Sequence, residues 1–275
     1  MVTPTTIIKT EDIAELRKIQ LRILNELDRI CKKNNLVYWL DYGTLLGAVR
    51  NGKFIPWDDD IDVSMPMKDY REFLKIAEAE LPKDIFLQTP KTDSAFKQYF
   101  TKLRDCHSTF IETHEERGTK YHQGIFIDIF PSVEYPKMPR LFQKVLMFTT
   151  VRSRYKAVVN RKNIFINFII YGICKFIWLL LSPLKKYGYG MTPEDNGYMF
   201  SVPLQYLYPI VDVEFEGKMY PAPNNYHEHL ATIYGKSYMT PPPETNRVPH
   251  AKLILTNTPC NHPRAIHRTT SSNQT

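Results

Sequence analysis

The sequence predicts an α+β fold, a mixed sheet flanked by helices and interrupted by a helical, basic and apolar insertion. Three observations predict it. Two long segments near the start carry apolar residues at helical spacing, and four short β-like runs crowd residues 85–130. Residues 135–193 then hold eleven Lys/Arg and no Asp or Glu, although the chain as a whole carries only +7. At 275 residues, with 43% hydrophobic and 24% charged residues, the chain can bury a substantial core and is not disordered by composition.

Each element has its own signal. The first helix opens at Thr10 and runs along Ile13, Leu16, Ile19, Ile23, Leu24, Leu27, Ile30 and Cys31, until Asn34-Asn35 ends it. "LVYWLDY" reads as a short strand, "GTLLGAVRNG" as a turn into a short helix, and "DDDIDVSM" as an acidic strand. Pro66 then opens a helix that reaches Pro82. "IFLQT", "QYFTKLRD", "STFIET" and "GIFIDIF" are the strands of 85–130, and residues 139–186 are helical and apolar. "FEGKMYPAPNNYHEHLATIYG" predicts a strand, a Pro-rich turn and a helix, in which His227 and His229 are expected at the surface. These signals describe one catalytic domain over 1–256, with 135–200 as its insertion, and a tail over 257–275 expected to be disordered.

Four scattered cysteines without a CxxC pair fit reduced thiols rather than a disulfide frame, and Cys106-His107 and Cys260-x-His262 lack zinc-ligand spacing. The first residues show no basic segment followed by an apolar one, so no secretory leader is expected.

The chemistry concentrates in "WDDDIDV", residues 57–63. In a strand, Asp58, Asp60 and Asp62 share one face, while Asp59, Ile61 and Val63 take the other, which leaves Asp59 expendable. Carboxylates this close resist simultaneous ionisation, and a divalent cation, Mg²⁺ or Mn²⁺, removes the difficulty. Asp128 in "GIFIDIF" shares its face with Phe126 and Phe130 and also needs a cation nearby. Upstream, Gly43 and Thr44 sit where a helix N-terminus would hold a phosphate. A Gly-Thr turn followed by D-x-D on a strand matches the plan of a nucleotidyltransferase-type palm and points to phosphoryl chemistry.

The stretch "YWLDYGTLLGAVRNGKFIPWDDDIDVSMPMKDYREFL" resembles the LicD family, which includes the fukutin-type transferases. "FTKLRDCHSTFIE", "GIFIDIFP" and "FEGKMYPAPNNYHEHLATIYG" support the resemblance, which covers most of residues 10–245 and is weakest over 135–200. It implies a nucleotidyltransferase-like fold that moves a phospho-alcohol from a CDP-activated donor, CDP-choline favoured, to a sugar hydroxyl. The acceptor it implies is a cell-surface or lipid-linked glycan such as lipopolysaccharide, teichoic acid or capsule, with CMP released and no nucleic acid bound. Carried onto this chain, it makes Asp60, Asp62 and Asp128 metal ligands, with Asp58 as ligand or base. Gly43 and Thr44 would hold phosphate, Lys102 and Arg104 would pair with the diphosphate, and Arg50 is grouped with the substrate-binding residues. The alternative is a nucleotidyltransferase that moves NMP from an NTP to a protein or small molecule.

Residues 164–181, "IFINFIIYGICKFIWLLL", lie at the lower length limit of a bilayer span. A single span would split the residues of the resemblance across the membrane, so an interfacial or re-entrant helix is expected, with a buried helix as the alternative. The flanking cations point to an anionic membrane surface and to a cytoplasmic protein peripheral at the inner face of the plasma membrane.

Overall fold

The computed structural model describes residues 10–136 except 99, 186–191, 202–266 and nine positions between 169 and 183. Helix α1 spans Thr10–Lys33 and is followed by β1 (Trp39–Leu40), α2 (Tyr42–Asn51), β2 (Asp62–Pro66) and α3 (Met67–Glu80). Strands β3 (Ile85–Gln88), β4 (Thr101–Asp105), β5 (Thr109–Glu112) and β6 (Phe126–Pro136) come next. Strand β7 (Lys186–Met191) lies inside the 135–200 insertion expected to be helical, and after the insertion come β8 (Val202–Pro203), the short helix α4 (Leu204–Leu207), β9 (Val211–Phe215), β10 (Lys218–Ala222), α5 (Tyr226–Tyr234) and β11 (Ala251–Leu255). The α+β class therefore holds.

The chain divides into two compact units, one of Met1–Phe130, Glu214–Tyr220 and Pro241–Thr275, the other of Pro131–Val213 and Pro221–Thr240. In the first unit the strands are ordered β1-β2-β6-β4-β3. The acidic run and "GIFIDIF", far apart in sequence, are neighbours here, and the Asp128 N–H donates to the Ile61 carbonyl (2.8 Å). Across the other edge of β6, Asp128 is opposite Lys102 and Phe126 opposite Arg104.

The helical spacing of α1 buries Leu16, Ile23, Leu24, Leu27 and Ile30 completely. Leu16 joins Phe110, Ile125, Phe126, Ala251 and Ile254 in a core cluster. That cluster depends on the antiparallel β5–β11 pair, in which Ile254 lies opposite Phe110. Residues 257–266, part of the 257–275 tail expected to be disordered, are packed, and 267–275 lie outside the described residues. Cys260 is buried, and the Ile266 N–H donates to the Cys106 carbonyl. This segment lacks periodicity because it packs through single contacts rather than as a helix or strand.

In the second unit, β7 pairs with the end of β6 and with β8. The described residues between 169 and 181 are helical, and Ile169, Ile173, Phe176 and Leu180 are 45–60% exposed. Their spacing places them on one face. That exposure opposes the buried-helix alternative. Among the described residues, no helix is long and apolar enough to cross a membrane. His227 is exposed as expected, whereas His229 is buried, because it lies beside Leu230 on the inner side of α5.

Candidate active site

The site is built on a short irregular segment rather than on a continuous strand. Only Asp62 lies in β2, and Asp58 to Ile61 precede it without regular structure. Polar residues on α1 hold this segment in place. Arg17 donates from Nη2 to the carbonyls of Ile55 (2.9 Å) and Pro56 (3.1 Å), and its guanidinium lies over the Phe54 ring. Gln20, fully buried, donates to the Asp59 carbonyl (2.8 Å).

Asp58, Asp60 and Asp62 are part-buried and Asp128 is 7% exposed, and the four carboxyls act on one another. Burial, then the Asp60 charge, pushes the Asp58 carboxyl up to about 8. Burial raises Asp62 well above the carboxylate range, reinforced by Asp60, Asp128 and Asp58. Burial also raises Asp128, to about 7, against the opposing pull of Lys102. Crowded acids that would retain protons are the donor set a hard divalent cation needs.

Asp59 corrects the sequence reading. It is 1% exposed, and its carboxylate accepts the backbone N–H of Ala251 (2.7 Å) and of His250 (3.2 Å). The His250 ring Nδ1 lies 3.2 Å from Asp59 and 3.3 Å from Asp60. Hydrogen bonds to Asp59 and Asp60 push His250 up to about 11, so the imidazolium counters charge on the acidic segment. Asp59 is therefore a clamp that fastens β11 to the site, not a spare carboxylate. Among the described residues, Asp58, Asp59, Asp60 and His250 form one group with ligand atoms within 4.8 Å of each other, and Glu112, His114 and Glu115 form another.

Gly43 and Thr44 lie in the first turn of α2, capped by Asp41, whose side chain accepts the Tyr42 N–H (2.9 Å). A Cβ on Gly43 would stand 2.5 Å from Asp58 Oδ2, so the absence of a side chain there makes room for a site carboxylate. The Thr44 hydroxyl accepts the Asp62 N–H (2.8 Å) and so locks β2 against the helix. Arg50 lies in the last turn of the same helix.

Lys102 and Arg104 share a strand face as expected, but both are buried. Lys102 Nζ lies 3.0 Å from Asp128 Oδ1 and 3.3 Å from the centre of the Phe126 ring. Its charge is thus spent on Asp128, which corrects the expectation that it pairs with a diphosphate. Arg104 donates to Gln88 Oε1 and to the Gly124 carbonyl (2.7 Å), while its Nη2 has no partner.

Residues 35–165 match the family model described as LicD/FKTN/FKRP, nucleotidyltransferase domain. Over 266 residues the chain is 32% identical to lipopolysaccharide cholinephosphotransferase LicD of Haemophilus influenzae, spanning 86% of this chain and 95% of that protein. Over 230 residues it is 23% identical to ribitol 5-phosphate transferase FKRP of Homo sapiens, spanning 82% of this chain and 34% of that protein.

Proposed function

This chain belongs to the LicD family, and we propose that it is a metal-dependent phosphotransferase carrying a phospho-alcohol from a CDP-activated donor to a sugar hydroxyl. Phosphocholine is the favoured group, supported by the similarity to a cholinephosphotransferase over most of both chains. The acceptor is a cell-surface glycan, with lipopolysaccharide favoured for the same reason. The observation that carries the reading is the convergence of Asp58, Asp60, Asp62 and Asp128 through the adjacency of β2 and β6.

Asp60, Asp62 and Asp128 would hold Mg²⁺ or Mn²⁺, which supplies charge neutralisation on the diphosphate. Asp58 takes the proton of the acceptor hydroxyl, suited to it by a carboxyl held near operating pH. The hydroxyl oxygen forms the new bond to the phosphorus bearing the alcohol, the bond from that phosphorus to the bridging oxygen breaks, and CMP departs. Gly43 leaves room for the Asp58 carboxylate, Thr44 fixes Asp62, and Lys102 holds Asp128 in orientation. The amides at the start of α2 contribute to holding phosphate.

A thermal-shift screen of CDP-choline, CDP-ribitol and CDP-glycerol with Mg²⁺ or Mn²⁺ tests the donor. At least one is expected to raise the melting temperature. A shift with NTPs alone would replace this reading with nucleotidyl transfer.

The exposed face of Ile169, Ile173, Phe176 and Leu180, within a region of eleven cations and no anions, supports peripheral attachment to an anionic membrane surface at the cytoplasmic side. Co-sedimentation with vesicles containing phosphatidylglycerol is expected. Its absence at low salt would refute the attachment.

A further inference from the structure

A cavity of about 430 Å³ opens beside Asp128 in the first unit, and nothing above gives it an occupant. Its walls carry Lys102 and Arg104 from β4, Glu112 from β5, then Glu115, Tyr121 and Asp128. The volume suits a small molecule of one or two rings. The geometry points to this cavity as the subsite for the neutral sugar ring of the acceptor, an assignment that rests on the phosphotransferase reading.

The wall chemistry selects among possible occupants. Two cations, Lys102 and Arg104, face three carboxylates, Glu112, Glu115 and Asp128. Lys102 is already paired with Asp128 and Glu112, and Glu115 is held by Tyr121 and Gln123, so an ionic group could use these walls only by breaking a pair they already hold. A neutral polyol breaks no pair and can use donors and acceptors together. Arg104 supplies the clearest sign that a partner is missing. It is 1% exposed, lines the cavity, and its Nη2 is a buried donor without an acceptor. A sugar hydroxyl oxygen is the kind of acceptor that would satisfy it.

Other wall groups are already fixed in position. Glu115 accepts the Tyr121 hydroxyl (2.6 Å) and the Gln123 side-chain amide (3.3 Å), so its carboxylate is oriented before any ligand arrives. Lys102 lies 3.8 Å from Glu112 and 3.0 Å from Asp128, bridging the cavity wall to the catalytic carboxylates. Phe100 adds an apolar side chain to the same wall. Because Asp128 belongs both to this wall and to the acidic cluster, a sugar held here has a hydroxyl beside the site of phosphoryl transfer.

Saturation-transfer NMR on the full chain, without donor, tests the assignment with the methyl glycosides of galactose, glucose and N-acetylglucosamine. At least one is expected to receive saturation on its ring protons. Ala95→Trp, which fills the wall from outside the catalytic cluster, should abolish that signal. Glu112→Gln should weaken binding roughly ten- to a hundredfold, the loss of one hydrogen bond to a charged acceptor. In Ala95→Trp the melting shift given by CDP-choline with Mg²⁺ should stay that of the parent. No sugar signal in the parent, or one unchanged in Ala95→Trp, overturns the assignment. Loss of the CDP-choline shift with the sugar signal intact also overturns it, because the cavity would then serve the donor. Since the sugar readout needs no donor, failure of the CDP reading appears separately, as the absence of any CDP-alcohol shift in the parent.

Discussion

Replacing Asp59 by Asn changes a few atoms and separates two incompatible pictures of the acidic segment. As one of a row on a regular strand, Asp59 points away from the metal face and its loss is harmless. In the structure its carboxylate is buried and accepts two backbone N–H groups from the start of β11, at 2.7 and 3.2 Å, with the His250 ring against it. An amide can present only one oxygen, so one of those N–H groups would face an NH₂ group instead. Losing a hydrogen bond to a charged acceptor costs about 1.5–3 kcal/mol. For a chain of this size that corresponds to a fall of roughly 3–12 °C in melting temperature. Loosening of β11 also withdraws His250 from Asp60, so transfer activity should fall with stability. Differential scanning fluorimetry in EDTA and an assay of CMP release read the two effects. A variant that melts within about 1 °C of the parent and retains full activity would refute the clamp, because even the smallest of these losses exceeds that shift.

The remaining perturbations bear on the same cluster. Asp60→Asn should abolish transfer yet raise the melting temperature of the metal-free protein, since it removes a like charge acting on Asp58 and Asp62; a fall would contradict the crowding. The raised carboxyls, about 8 for Asp58 and about 7 for Asp128, mean the folded state keeps protons the unfolded chain has lost. Metal-free stability should therefore decline as pH rises from about 4 to 8, and Mg²⁺ or Mn²⁺ should raise the melting temperature more at pH 8 than at pH 5. Gly43→Ala would force the Asp58 carboxylate aside and should cost about a hundredfold in turnover with the fold intact, as circular dichroism would verify. Thr44→Val leaves the Asp62 N–H without its acceptor and should cost about 1–3 kcal/mol in urea unfolding.

Local periodicity made much of the fold legible. The spacing of Leu16, Ile23, Leu27 and Ile30 identified α1, and Pro66 and Pro82 bracketed α3. Clustered acids flanked by apolar residues likewise marked Asp58, Asp60, Asp62 and Asp128. What stayed hidden is set by contacts between distant residues. Arg17 and Gln20 look like ordinary polar positions of an amphipathic helix until the loop they hold is packed on them. His250 lies more than 180 residues beyond the acidic segment, and only the pairing of β11 with β5 brings it there. The alternation rule assigned Asp59 outward because it assumes a continuous strand, whereas regular pairing begins at Asp62. The same rule put Lys102 and Arg104 on one face correctly, but it could not reveal that Asp128 lies opposite Lys102 and takes its charge.

The most direct measurement is CMP release from CDP-choline, CDP-ribitol and CDP-glycerol, each with Mg²⁺ or Mn²⁺ and a glycan acceptor, alongside pyrophosphate release from the four NTPs. The account predicts metal-dependent CMP release from at least one CDP-alcohol, lost in Asp60→Asn and Asp62→Asn. Pyrophosphate from an NTP with no CMP from any CDP-alcohol, or CMP release undiminished in those two variants, would contradict it.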